Sequence, residues 1–208
     1  MSASLSEQRF NTEKPSIHVG VVGQDGHGKS TLTVALNNVM AETYGGHPLD
    51  LDQLARMTTD TTMDGITFGS ATVEYHSGGC KFLHTDYRQS GDLTEALRAG
   101  APMEVALVVV SVVDDSTEQT REQIERCQQA GVRGVVLFLN GCDRVDDEEL
   151  LELKEMESRE LLTQYGYPGD DCASIRGSAL GALQGDREWQ AKLIELAGEV
   201  ELVARSRQ

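Results

Sequence analysis

Basic residues are scarce in this chain. Its 208 residues carry 18 Lys and Arg against 34 Asp and Glu, a formal net charge of −16. That balance opposes tight binding to DNA or RNA phosphates unless a local basic patch overrides it. No such patch is present, the densest cluster being Arg205-Ser206-Arg207. Cysteines are also few. Cys80, Cys127, Cys142 and Cys172 are widely spaced with no C-x-x-C pair, so neither a zinc motif nor a disulfide framework is indicated. Reduced thiols of a cytoplasmic protein are the expectation. No run of 18 apolar residues exists, so no membrane span and no membrane partner is expected. Residues 1–14 are polar, lack the apolar core of a secretory signal, and read as a flexible lead. Internal repeats and low-complexity segments are missing as well. The length suits one domain with a sizeable core.

What is there begins with residues 23–30, Gly-Gln-Asp-Gly-His-Gly-Lys-Ser. They match G-x-x-x-x-G-K-[ST], the phosphate-binding loop. The apolar run Ile17–Val22 before it reads as a buried strand, and Thr31–Leu36 after it as the first turns of a helix. Glycines let backbone N–H groups converge on an anion, and the helix N-terminus adds partial positive charge. Lys29 can reach the β- and γ-phosphates, and the Ser30 hydroxyl can bind Mg²⁺.

The rest of the chain alternates strands with helices. Residues 49–70 are rich in Thr, Asp and Met and are predicted to form a long loop with one short helix near Leu49–Met57. Strands are predicted at Ala71–His76 and Lys81–Asp86, joined as a hairpin through Gly78-Gly79. A short helix is predicted over Asp92–Ala99 and a polar amphipathic helix over Thr117–Ala130. Val105–Val113 and Val132–Asn140 are near-continuous apolar runs, which suits strands buried on both faces of a parallel sheet. Asp146–Tyr165 reads as a long acidic helix, its first-turn carboxylates favoured by the helix dipole. Leu150, Leu153, Leu161 and Tyr165 mark its expected inner face. Residues 173–177 form a short strand and Arg187–Ala204 a last helix, with Trp189 as a packing residue. This pattern predicts an α/β doubly wound domain over residues 15–204 with a mostly parallel central sheet. Ligands of such sheets bind at the carboxyl ends of the strands.

The strand ending at Asn140 delivers Asn140-Gly141-Cys142-Asp143, close to the N-K-x-D loop whose Asp reads the guanine N1–H and amino group. Ser178-Ala179-Leu180 follows the last strand, where a backbone N–H would meet the guanine O6. These features, with "HVGVVGQDGHGKSTLTVAL", "GITFGSATVEY", "VDDEELLEL" and "GSALGALQGD", resemble the G domain of bacterial elongation factor Tu, a translational GTPase. The similarity runs from about His18 to Gly198. It implies a P-loop GTPase fold that takes GTP or GDP with Mg²⁺. It implies that Asp25, Gly26, His27, Gly28, Lys29, Ser30 and Thr31 wrap the phosphates. Ser30, Thr67 and Asp86 are then the metal positions, Thr67 from switch I and Asp86 from switch II. Asn140, Asp143, Ser178, Ala179 and Leu180 become the base-reading positions.

The departures fall on the working parts. The family's switch II D-C-P-G-H is here Asp86-Tyr87-Arg88-Gln89-Ser90, so both the γ-phosphate glycine and the water-positioning histidine are replaced. Gln89 and Arg88 are the remaining candidates for a rewired catalytic role. Asp64 stands for the arginine before Gly65-Ile66-Thr67, a charge of the wrong sign near a γ-phosphate. Gly141 stands for the lysine whose stem packs on the base, and Gly26 for a loop aspartate beside Asp25. The family continues into two β-barrel domains that supply most of its grip on aminoacyl-tRNA. This chain reads as the G domain without them and is not expected to bind tRNA alone. The expectation is a guanine-nucleotide switch with slow or impaired GTP hydrolysis. The alternative is a non-catalytic module that keeps the fold and binds a protein partner: an exchange factor, a ribosome-associated protein or a specialised effector. An ATP-using enzyme is the third and least supported class.

Overall fold

A computed structural model describes residues 14–87, 90–114 and 118–206. Arg88 and Gln89 lie outside the described residues, as does nearly all of the predicted flexible lead. The apolar runs occupy the middle of a seven-stranded sheet ordered β2-β3-β4-β1-β5-β6-β7. Strand β5 (Val105–Ser111) is buried at every position and β6 (Gly134–Asn140) at all but its last. They pair in parallel with each other, β5 with β1 (Ser16–Val22), and β6 with β7 (Ala173–Gly177). On the other side β1 pairs in parallel with β4 (Lys81–Tyr87). The antiparallel margin is β3 (Ile66–His76) and β2 (Thr59–Met63). The chain thus leaves β1 toward one side of the sheet and returns to its other side. That reversal opens the crevice where doubly wound sheets take ligands.

Helices cover both faces, as an internal parallel sheet requires. One core cluster joins α1 (Lys29–Tyr44), α2 (Leu51–Met57), α6 (Ala179–Leu183) and α7 (Arg187–Ser206) to the sheet through Leu32, Leu36, Leu54, Ala182, Leu193 and Leu196. The other joins α3 (Ser90–Arg98), α4 (Glu118–Gln129) and α5 (Glu148–Gln164) through Leu93, Ile124, Leu161 and Leu162. Trp189, partly buried, packs against both.

Two expectations are corrected. Residues 49–70 are not a long loop. The α2 helix starts from a reciprocal cap in which the Asp50 side chain accepts from Gln53 N–H and the Gln53 side chain accepts from Asp50 N–H. A β-hairpin follows, its turn made by Asp64 (φ 49°) and Gly65 (φ 76°), the left-handed pair that favours Asp-Gly in two-residue hairpins. The Thr-rich β2 lies at the sheet's edge, so it shows little of the apolar alternation that marks a half-buried strand. The inner face of α5 is also rotated. Leu151 and Leu162 are buried beside Leu161, whereas Leu150 and Leu153 are 36% and 43% exposed. The adjacent Leu150-Leu151 and Leu161-Leu162 pairs made the helical phase ambiguous.

Beneath α1 a polar chain crosses the core. The fully buried His84 of β4 meets Thr33 of α1 at Nε2 (3.1 Å) and the Tyr75 hydroxyl of β3 at Nδ1 (3.0 Å). Burial holds the His84 pKa at about 3, below the usual 6.5. The unfolded chain therefore binds a proton there before the folded one does, and stability falls as pH drops from about 6.5 toward 3. Thermal melts across that window should show a falling midpoint for the native chain, with a flatter profile for His84→Gln.

Candidate functional site

Strand β1 ends at Val22, and the chain turns at Gly23. A Cβ there would lie 2.3 Å from the Val109 carbonyl oxygen, so only glycine lets the loop leave between β1 and β5. The loop's first amides turn toward α4. Gly23 N–H donates to Gln123 Oε1 (2.6 Å), Gln24 N–H to Thr120 Oγ1 (3.0 Å) and Asp25 N–H to Gln119 Oε1 (2.9 Å). These side chains occupy adjacent places on one face of α4 and fasten the near half of the loop.

The far half faces outward. Gly28 (φ 87°) caps α1, and a Cβ on it would strike Asn140 Nδ2 at 2.4 Å. Among the described residues no hydrogen bond occupies the N–H groups of Gly28, Lys29, Ser30 or Thr31. They form the first turn of α1, where free donors and the helix dipole favour an anion. The Lys29 ammonium is pinned over the loop, donating to the carbonyls of Gly23 (2.7 Å) and Gln24 (3.0 Å) and to Asp25 Oδ1 (3.1 Å). A cleft of about 390 Å³ lies here, lined by Asp25, Gly26, Gly28, Lys29, Ser30, Thr31 and Tyr87. The His27 ring turns inward instead. It is buried, with Nδ1 3.4 Å from the Val109 carbonyl and Nε2 3.7 Å from Asp114, and burial lowers its pKa.

Asp86, near the end of β4, meets this loop. Ser30 Oγ donates to its Oδ2 at 2.6 Å. Its other oxygen, Oδ1, is buried with no partner among the described residues. Burial raises the Asp86 pKa, against the Ser30 hydrogen bond and the Lys29 charge. A desolvated carboxylate oxygen without a donor, beside a hydroxyl at a phosphate-type loop, fits a hard divalent cation. Thr67 is not brought to this pair. It sits exposed in β3, bonded to Thr62 Oγ1 (2.9 Å) across the hairpin. Ala71 lies opposite Asp86, so Thr67 stands about 13 Å farther along the strand.

The carboxyl ends of β6 and β7 lie side by side, with Asn140 opposite Gly177. Asn140 Nδ2 donates to the His27 carbonyl (2.8 Å), and its Oδ1 accepts from Ala179 N–H (2.9 Å). The Ala179 amide is thus engaged by Asn140. Ser178 caps α6 through Gly181 N–H (2.9 Å), and Leu180 is exposed. Gly141 takes φ 87° and leads into a short turn, Cys142–Arg144, that presents Asp143 to solvent. Sequence reasoning missed the α4 clamp of Gln119, Thr120 and Gln123 and the buried Tyr75–His84–Thr33 chain. The only signal of the clamp was the polar character of a helix face that packs inward.

A parallel sheet whose first strand enters a glycine loop and helix, with an aspartate facing the loop's serine and an Asn–Asp turn after β6, defines a phosphate-loop nucleotide-binding domain. The family model of the elongation factor Tu GTP-binding domain matches residues 14–201, and the chain belongs to that family.

Because burial raises the Asp86 pKa, its contribution favours the folded state at low pH and is lost as pH rises through the folded-state pKa. Asp86→Asn should therefore raise the melting midpoint in metal-free buffer at neutral pH. The expected gain is about 2–4 °C per kcal/mol relieved, read by scanning calorimetry. The same substitution should remove any rise in midpoint on adding MgCl₂.

Proposed function

We propose that this chain binds GDP and GTP with Mg²⁺ over the 23–30 loop and hydrolyses GTP slowly, as a guanine-nucleotide switch. The observation that carries the reading is the convergence of Lys29, Ser30 and Asp86 at the outward amides of the loop. In this reading the amides of Gly26 and of Gly28 to Thr31, with the Lys29 ammonium, hold the phosphates, while the His27 amide stays on the Gln24 carbonyl. Asp25 sets the Lys29 ammonium in place, and Ser30 and Asp86 hold the cation. A bound Mg²⁺ supplies charge neutralisation to the β- and γ-phosphate oxygens. Asp143 accepts from the guanine edge, with Asn140, Ser178, Ala179 and Leu180 shaping that pocket. Thr67 joins the cation only after the β2–β3 hairpin opens. With Gln89 and Ser90 in place of the γ-phosphate glycine and the water-positioning histidine, turnover is expected at or below the unassisted range of about 10⁻⁴ to 10⁻² s⁻¹. Arg88 and Gln89 are the side chains available to assist it.

A second reading, a cytoplasmic protein-binding module that has lost the catalytic step, is favoured by one surface. Leu150, Leu153 and Met156 form an exposed apolar line along α5 among acidic side chains. An exchange factor, a ribosome-associated protein or a specialised effector is the partner class.

Calorimetric titration of nucleotide-stripped protein decides between them. GDP and a non-hydrolysable GTP analogue should bind in a Mg²⁺-dependent manner, with ATP much weaker. Lys29→Ala should weaken GDP by about 10- to 100-fold, the worth of a charged hydrogen bond. No GDP binding at high micromolar concentration would end the first reading in favour of the second. Gly141→Lys should tighten GDP by a few-fold, since a stem packed on the base buries one or two methylenes at about 0.8 kcal/mol each. The left-handed backbone at 141 costs a lysine about 1 kcal/mol of folding stability, with and without nucleotide alike. A loss of affinity would show that the base does not lie over position 141.

A further inference from the structure

Two rungs join α1 to β4. The outer one is Ser30 Oγ to Asp86 Oδ2 at 2.6 Å, and the inner one is Thr33 Oγ1 to His84 Nε2 at 3.1 Å. Ser30 and Thr33 are three apart on a helix and so share a face. His84 and Asp86 are two apart on a strand and so share a face as well. The inner rung has a definite sense. Thr33 gives its only hydroxyl proton to the Lys29 carbonyl (3.1 Å), so its oxygen receives the Nε2–H of His84. The Nδ1 of a neutral ring is then an acceptor, and Tyr75 O–H donates to it at 3.0 Å. Tyr75 is held in turn by stacking on Phe82, with ring centroids 5.0 Å apart. The result is a directed chain, Tyr75 to His84 to Thr33 to the Lys29 carbonyl. It ends on the backbone of the residue that precedes Ser30. All three side chains are fully or almost fully buried, and each polar atom in the chain is matched.

We propose that Tyr75, His84 and Thr33 are positioning residues that set the α1–β4 spacing at which Ser30 and Asp86 share one divalent cation. The inference rests on the nucleotide reading above and goes beyond it, because none of the three touches the phosphate cleft. Mg²⁺ demands near-ideal octahedral geometry, so two ligands on different elements need a spacer that does not give. The outer rung cannot serve, since its own atoms are the ligands. The inner rung lies one helical turn deeper, and its hydrogen bonds fix both the height of α1 over the sheet and the rotation of its first turn.

The test uses the GDP-loaded full chain and compares GDP release in excess EDTA with release in MgCl₂. Thr33→Val and Tyr75→Phe remove single oxygens with little change of shape, and Thr33→Ser restores the hydroxyl. Both deletions should shrink the Mg²⁺-dependent slowing of release by about 10-fold, the lower end of what residues that orient metal ligands contribute. Release in EDTA should stay at the native rate, and Thr33→Ser should behave as the native chain. Equal acceleration with and without Mg²⁺ would assign the chain a merely structural role and overturn the proposal, as would no change in either condition. A native chain that fails to bind GDP, or releases it at one rate with and without Mg²⁺, would instead sink the nucleotide reading itself and this proposal with it.

Discussion

A single carboxamide holds the ligand-facing end of the molecule together. Asn140 gives its N–H to the carbonyl of His27 in the phosphate loop and takes the amide of Ala179 after β7. The loops after β1, β6 and β7 are thereby tied to one planar group, and Asp143 follows three residues after it. Charge-neutral hydrogen bonds of this kind contribute about 1 kcal/mol each to stability. Their larger effect is geometric, since they fix the separation of the three loops. The close approach has a consequence at Gly28, where any side chain would collide with the Asn140 amide.

Electrostatics works on two scales. The chain as a whole repels anions, with a net charge of −16. That far field is screened beyond about 8 Å at physiological ionic strength. At the cleft the local field is reversed by unpaired amides at the start of α1 and by the Lys29 ammonium, which the loop carbonyls keep in place. Asp86 is the exception inside the positive zone. Its desolvated carboxylate is unfavourable by itself, and a cation beside it would offset that cost. On the proposed reading, cation and phosphates would meet different halves of one site.

Much of this was legible in the sequence because the phosphate loop is contiguous. Gly23 to Ser30 carries its own strand and helix context, and the valine runs of β5 and β6 admit no other placement than a sheet interior. Asp86 and Asn140 were legible because one stands next to the end of a strand and the other ends one. What could not be read depends on tertiary pairing. Thr67 was expected at the cation from the resemblance alone, and its bond to Thr62 across the hairpin follows from a strand pairing that the sequence did not reveal. Gln119, Thr120 and Gln123 became interpretable only once α4 was seen to lie against the loop. The phase of α5 was lost to doubled leucines that satisfy two helical faces equally well.

The hairpin margin has a mechanical meaning. Among the described residues strand β2 pairs with β3 alone, and the start of β3, just after the turn at Asp64 and Gly65, lies beyond the end of β4. Among the described residues of β2 only Met63, half-buried, packs against a core cluster, and the other four are exposed or half-exposed. The sheet can therefore shed this strip as a zip fastener opens from its free end, while the five parallel-paired strands and the helices over them stay shut. Local opening free energies are smallest where burial is least. The molecule thus carries a detachable border beside an indivisible body, and Thr67 of β3 is the residue that this border covers through Thr62.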